Sequence, residues 1–207
     1  MVSKEVEKLL LKVQKPGRYV GGELNEVIKD KKKVDCRFAF CFPDTYEVGM
    51  SHLGMKILYS LMNAVPYIWC ERVFAPWVDM EEEMIKHNIP LYALESGDPV
   101  SDFDFIGFTL QYELSFTNML NMLRLSGVPI KSCDRKELKN IVVAGGVPAT
   151  PSRLQILSIF SSSVRVKRLT LRLLNFSESA EPRVNQNRSF LNSHLKLRVY
   201  MFRHSMM

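Results

Sequence analysis

Four cysteines, one histidine at a loop–helix junction and three polar or glycine-bearing segments are the residues of this chain best suited to chemistry. Cys36, Cys41, Cys70 and Cys133 form no C-x-x-C pair, so a closed thiolate metal site is not expected. Cys36 and Cys41 flank or lie within an apolar run, where a free cysteine serves as a small core residue. His52 has no second histidine three or four residues away and no acidic partner at ligand spacing. A metal cage is therefore not expected, and a structural hydrogen bond is. The run Glu81-Glu82-Glu83 suits a solvated helix face near a positive dipole end. No P-loop, G-x-G-x-x-G fingerprint or nucleophile–base pair occurs, so no catalytic residue and no metal ligand is assigned. Ligand holding is the chemistry that remains. Residues 43–54 offer Asp44, Glu47, Gly49, Ser51 and His52; residues 109–112 offer Thr109 and Gln111. Gly145 and Gly146 could let the backbone approach a flat ligand closely. These nine are the candidate cofactor-binding residues.

The elements that must position them follow from periodicity. Compact apolar runs predict strands at 37–42, 71–75, 90–94, 103–110 and 141–144, the last leaving through a Gly145-Gly146 turn. Helical spacing predicts helices at 4–13, 53–62, 79–87 and 114–123, with residues 44–51 a long loop. Asp79 followed by Glu82 is a capping-type start, and Gly127 a stop. Alternating strands and helices predict an α/β fold with a doubly wound, mostly parallel sheet of Rossmann or flavodoxin type. The expected organisation is a helical lead-in over 1–35, an α/β domain over 36–147 and a tail over 148–207. In such sheets ligands bind beyond the carboxyl ends of the strands, where the three candidate segments fall.

Charge separates the last part from the rest. Residues 1–147 carry a net charge of −2, and residues 148–207 carry +8 with ten serines and only two acidic residues, Glu178 and Glu181. No apolar run approaches the roughly 20 residues of a membrane span, and no secretory signal opens the chain, so a cytoplasmic protein without a membrane partner is expected. The tail's five aromatic residues are scattered without register, which argues against nucleic acid as its partner.

Long stretches then become recognisable: KPGRYVGGELN at 15–25, RFAFCFPDTYEVGMSHLGM at 37–55, CERVFAPWVDM at 70–80, GFTLQYELS at 107–115 and VAGG at 143–146. They resemble a bacterial radical SAM family that carries a cobalamin-binding-like domain ahead of a radical SAM barrel. The resemblance covers nearly all of 8–146. It implies a cobalamin-binding-like domain here, with a [4Fe–4S] cluster and S-adenosylmethionine belonging to a full-length relative. The C-x-x-x-C-x-x-C run that would hold such a cluster is absent from this chain. Related domains that bind base-off cobalamin use D-x-H-x-x-G. Around His52 this chain has Met50 in place of the aspartate and Met55 in place of the glycine, so His52 does not match that ligand.

The resemblance ends where the composition changes. After its G-G the family continues with N-P-E-P and an acidic, apolar segment ending in G-E-G-E-E. Permitted codons for residues 150–168, read one base earlier, can spell N-P-E-P-I-A-D-F-I-D-I-F-F-I-G-E-G-E-E. A frameshift near Gly146–Val147 is therefore expected, leaving a truncated, disordered-tailed domain whose sheet is incomplete at its C-terminal end. Two other expectations compete: a stand-alone module whose basic tail contacts a polyanion, and a flavodoxin-like domain for a different small-molecule cofactor.

Overall fold

In the computed structural model, residues 3–135, 140–146 and 160–162 are described. Five parallel strands form one sheet in the order β2-β1-β3-β4-β5: β1 Cys36–Phe42, β2 Ile68–Phe74, β3 Phe105–Leu110, β4 Ile141–Gly146 and the short β5 Phe160–Ser162. The helices are α1 Lys4–Leu10, α2 Tyr46–Ser51, α3 Leu53–Asn63, α4 Val78–His87 and α5 Ser115–Leu125. The doubly wound parallel fold expected from alternating apolar runs is the one formed, in the strand order of flavodoxin-like domains.

β1, β3 and β4 are mainly apolar on both faces because both faces are covered, whereas β2 carries Glu71 and Arg72. Ala39, Cys41, Val73, Ile106, Phe108, Val142 and Ala144 point to one side, where Val6 and Leu9 of α1, Met80 and Met84 of α4 and Met119, Met122 and Leu123 of α5 complete the core. On the other side α3 lies over β2, burying Met55, Tyr59 and Met62. Asn63 at its end exchanges two hydrogen bonds with the backbone of Cys70, at 2.9 and 3.0 Å. Lys29 donates to the carbonyls of Asn63, Val65 and Ile68 at 2.8, 2.6 and 2.5 Å, tying the lead-in to the α3–β2 connection.

Several elements differ from expectation. Residues 90–94 form no sheet strand. They run beside the edge strand β2, where Leu94 N–H donates to the Arg72 carbonyl at 2.9 Å, and Tyr92 makes only an isolated bridge with Pro99. Just beyond this segment, Ser96 N–H donates to Glu71 at 3.0 Å and Glu95 pairs with Arg72 at 2.6 Å, while Glu71 also pairs with Arg37 of β1 at 2.5 Å. A covered edge resists pairing with another chain. Within residues 44–51, expected as loop, Tyr46–Ser51 is helical. The cap of α4 is Trp77 rather than Asp79, whose carboxylate instead accepts from Gln14 N–H at 2.8 Å. Gly145 and Gly146 are no exit turn: they are the last residues of β4, in register with Thr109 and Leu110. The lead-in is helical at Lys4–Leu10 and in a single 3₁₀ turn at Pro16–Arg18. The expected tail over 148–207 lies outside the described residues apart from Phe160–Ser162.

Candidate ligand crevice at the strand ends

The strand order reverses between β1 and β3. The chain leaving β1 enters α3 on one side of the sheet, and the chain leaving β3 enters α5 on the other. Their carboxyl ends form the topological switch point, the position at which open α/β sheets have the crevice that holds ligands.

Asp44 stands at its floor, two residues beyond β1. Its carbonyl accepts from Ala75 N–H at 3.0 Å, and its Oδ1 accepts from Thr45 N–H at 2.7 Å. Its Oδ2 accepts from the Tyr112 hydroxyl at 3.2 Å, bridging the two strand ends. The Asp44 charge, followed by burial, raises the pKa of Tyr112, so the phenol stays a donor at neutral pH. Asn118, one turn into α5, donates to the Pro43 carbonyl at 2.9 Å and fixes the same loop. Gln111 donates to Thr109 Oγ1 at 2.7 Å, and Thr109 sits in register with Gly145. The crevice thus offers a carboxylate, a phenol, an amide and a hydroxyl around a backbone with a glycine rim.

Of the nine candidates, the structure gathers Asp44, Thr109, Gln111, Gly145 and Gly146 at these strand ends. The other four are occupied elsewhere. Glu47 takes Arg18 at 2.8 Å and Lys15 at 3.5 Å, and its own backbone N–H, followed by Arg18, holds its pKa down. Gly49 is small because a Cβ there would lie 2.2 Å from the Phe74 ring. Ser51 donates to the carbonyls of Glu47 and Val48, at 2.9 Å each. His52 caps α3: its Nδ1 accepts from Met55 N–H at 3.1 Å, and its ring leans on Phe42 with centroids 5.3 Å apart. The structural hydrogen bond expected of His52 is present. The bridging of Asp44 by Tyr112, and the role of Asn118, were not singled out in the sequence. An acceptor after one strand and a phenol after the next carry no spacing signal until the strand order is known.

Across residues 54–161 the chain matches the model of a family described as radical SAM proteins, N-terminal. The chain belongs to that family. No curated protein matches it in sequence. Among solved structures it is similar to a novel cobalamin-binding protein from Desulfitobacterium hafniense, with 10% identity and a TM-score of 0.38. The similarity covers 70% of this chain and 58% of that one, so the chain spans less than two thirds of that protein's length. The radical SAM N-terminal match takes in Thr109, Gln111, Gly145 and Gly146, starts just after His52, and continues past residue 147.

Two chemical tests bear on the cofactors this family suggests. Among the described residues no three His, Cys, Asp or Glu side chains are placed to hold a metal, and burial pushes the Cys41 and Cys70 thiols up, away from the thiolate form. No described helix is long and apolar enough to cross a membrane. A histidine-ligated cobalamin does not fit either. With Nδ1 of His52 accepting from Met55, the neutral imidazole carries its proton on Nε2, leaving no lone pair there for cobalt.

Proposed function

We propose that this chain is the ligand-holding N-terminal domain of a radical SAM protein, with no catalytic centre of its own. The observation that carries it is the coincidence of the family match with a switch point whose loops gather hydrogen-bonding side chains, Asp44, Thr109, Gln111 and Tyr112, and no nucleophile–base pair. Asp44, Tyr112, Gln111 and Thr109 suit a molecule rich in amides or hydroxyls. Cobalamin in the form that keeps its own base is the member of that class the family resemblance favours, and His52 plays no part in holding it. Titration of the full chain with aquocobalamin, followed by calorimetry, is expected to saturate at one equivalent with no change in the visible bands that report cobalt's axial ligands. Asp44→Ala is expected to weaken binding about tenfold, the loss of one to two hydrogen bonds to a charged group. Saturation unaffected by Asp44→Ala would remove the crevice from the account.

We further propose that a frameshift near Gly146–Val147 separates this chain from a catalytic half. Support comes from the swap to a basic, serine-rich composition and from the alternative-frame codons that spell an acidic, apolar continuation. The family match running on to residue 161 weighs against a boundary at 147. The coding DNA decides: the shifted frame is expected to stay open into a C-x-x-x-C-x-x-C segment, and an early stop would reject the frameshift.

A further inference from the structure

On the α3 side of the sheet, away from the β1–β3 crevice, a cavity of about 650 Å³ opens between the lead-in, α2 and α3. Arg72 of β2 lies in its wall and is 7% exposed. Its Nε donates to Glu95 at 2.6 Å, and its guanidinium stacks on Tyr59 with the central carbon 4.6 Å from the ring centroid. One terminal nitrogen, Nη1, meets only the Met50 thioether at 3.4 Å, and the other, Nη2, is buried with no hydrogen-bond partner. A buried guanidinium N–H without an acceptor is costly and uncommon, and thioether sulfur is a weak acceptor. Met50 is half-buried, lines the cavity and is flexible, so a stronger acceptor entering the cavity can take its place beside Arg72.

The rest of the wall selects the acceptor. Glu23 and Lys56 are its other charged residues, and Glu23 accepts from the Tyr46 hydroxyl. With Arg72 balanced by Glu95, the surroundings carry no net charge. An anion alone would face Glu23 and Glu95, and a cation alone would face Arg72 and Lys56. Leu24, Val27 and Met55 supply an apolar flank. We propose that this cavity binds a zwitterion of the α-amino acid type, with its carboxylate on Arg72, its ammonium towards Glu23 and an apolar side chain on that flank.

The test is a thermal-shift and calorimetric screen of the full chain against the twenty L-amino acids. At least one apolar amino acid is expected to bind, and acetylating its amine or amidating its carboxylate is expected to weaken it at least tenfold. Glu23→Gln is expected to reproduce the loss seen with the acetylated ligand. Ser60→Trp, an exposed α3 position lining the cavity, is expected to abolish binding without disturbing the ion pair. Arg72→Lys adds a direct check if it folds, and Glu23→Gln and Ser60→Trp carry the test if it does not. Absence of binding by every amino acid, equal binding by the acetylated form, or binding that survives Ser60→Trp would each overturn the proposal.

Discussion

His52 shows how one side chain can look like a ligand and act as a cap. It follows an aromatic strand and a polar loop, as a cofactor-binding histidine would, yet its Nδ1 is spent on the first turn of α3. Gly54 belongs to the same arrangement, since a Cβ there would lie 2.9 Å from the imidazole Cε1. Capping requires only a short side chain with an acceptor, whereas cobalt ligation requires imidazole. His52→Asn is therefore expected to leave stability within about 0.5 kcal/mol of the parent, because asparagine is a strong N-cap, while His52→Ala costs about 1 kcal/mol. Urea unfolding of the two variants measures this. Equal, large losses in both would mean that the ring's packing on Phe42, not the cap, is what matters. Aquocobalamin affinity is expected to be the same in His52→Asn as in the parent.

At the scale of elements, packing across the sheet sets side-chain size closely. Gly107 in β3 is a case: a Cβ there would meet Phe38 Cζ at 2.3 Å, and Phe38 cannot easily swing away because it stacks on Phe105, with centroids 6.1 Å apart, and meets Phe40 edge-on. Gly107→Ala is expected to cost about 1–3 kcal/mol, as overpacked cores do. Adding Phe38→Leu should recover part of it, so the double variant is less than additive in chemical denaturation. Additive losses would mean the two side chains do not compete for space. The same packing across the sheet explains what the sequence made legible. Runs such as 38–42 and 105–108 are apolar throughout, which only a strand covered on both faces tolerates. The spacing after Leu53 gave the helix but not its buried face, since Leu53, Ile57 and Leu61 are exposed and Met55, Tyr59 and Met62 are buried. Residues 90–94 look the same locally. Their apolar side chains enter the core, but their backbone follows the edge of β2, as the Leu94 bond to the Arg72 carbonyl and the Glu95–Arg72 pair show. Gly145-Gly146 carries the composition of a turn, and register with Thr109 and Leu110 makes it strand. Placing Asp44, Thr109 and Gln111 at strand ends needed only the alternation of elements. Finding Tyr112 over Asp44, or Arg72 with an idle N–H, needed the order 2-1-3-4-5 and the loop contacts, which no local pattern encodes.

For the molecule as a whole, the parallel sheet directs β1 and β3 to one shared end, where loop polarity rather than a reactive group is concentrated. That concentration of polar groups is what the proposed ligand-holding role requires. The central claim is that the β1–β3 crevice is the ligand site. Amide hydrogen exchange of the full chain, with and without saturating aquocobalamin, addresses it most directly. The expected result is slower exchange confined to residues 44–45 and 109–112, the two loops joined by Asp44 and Tyr112. No change in those loops, or protection centred on His52 and the start of α3, would contradict the account.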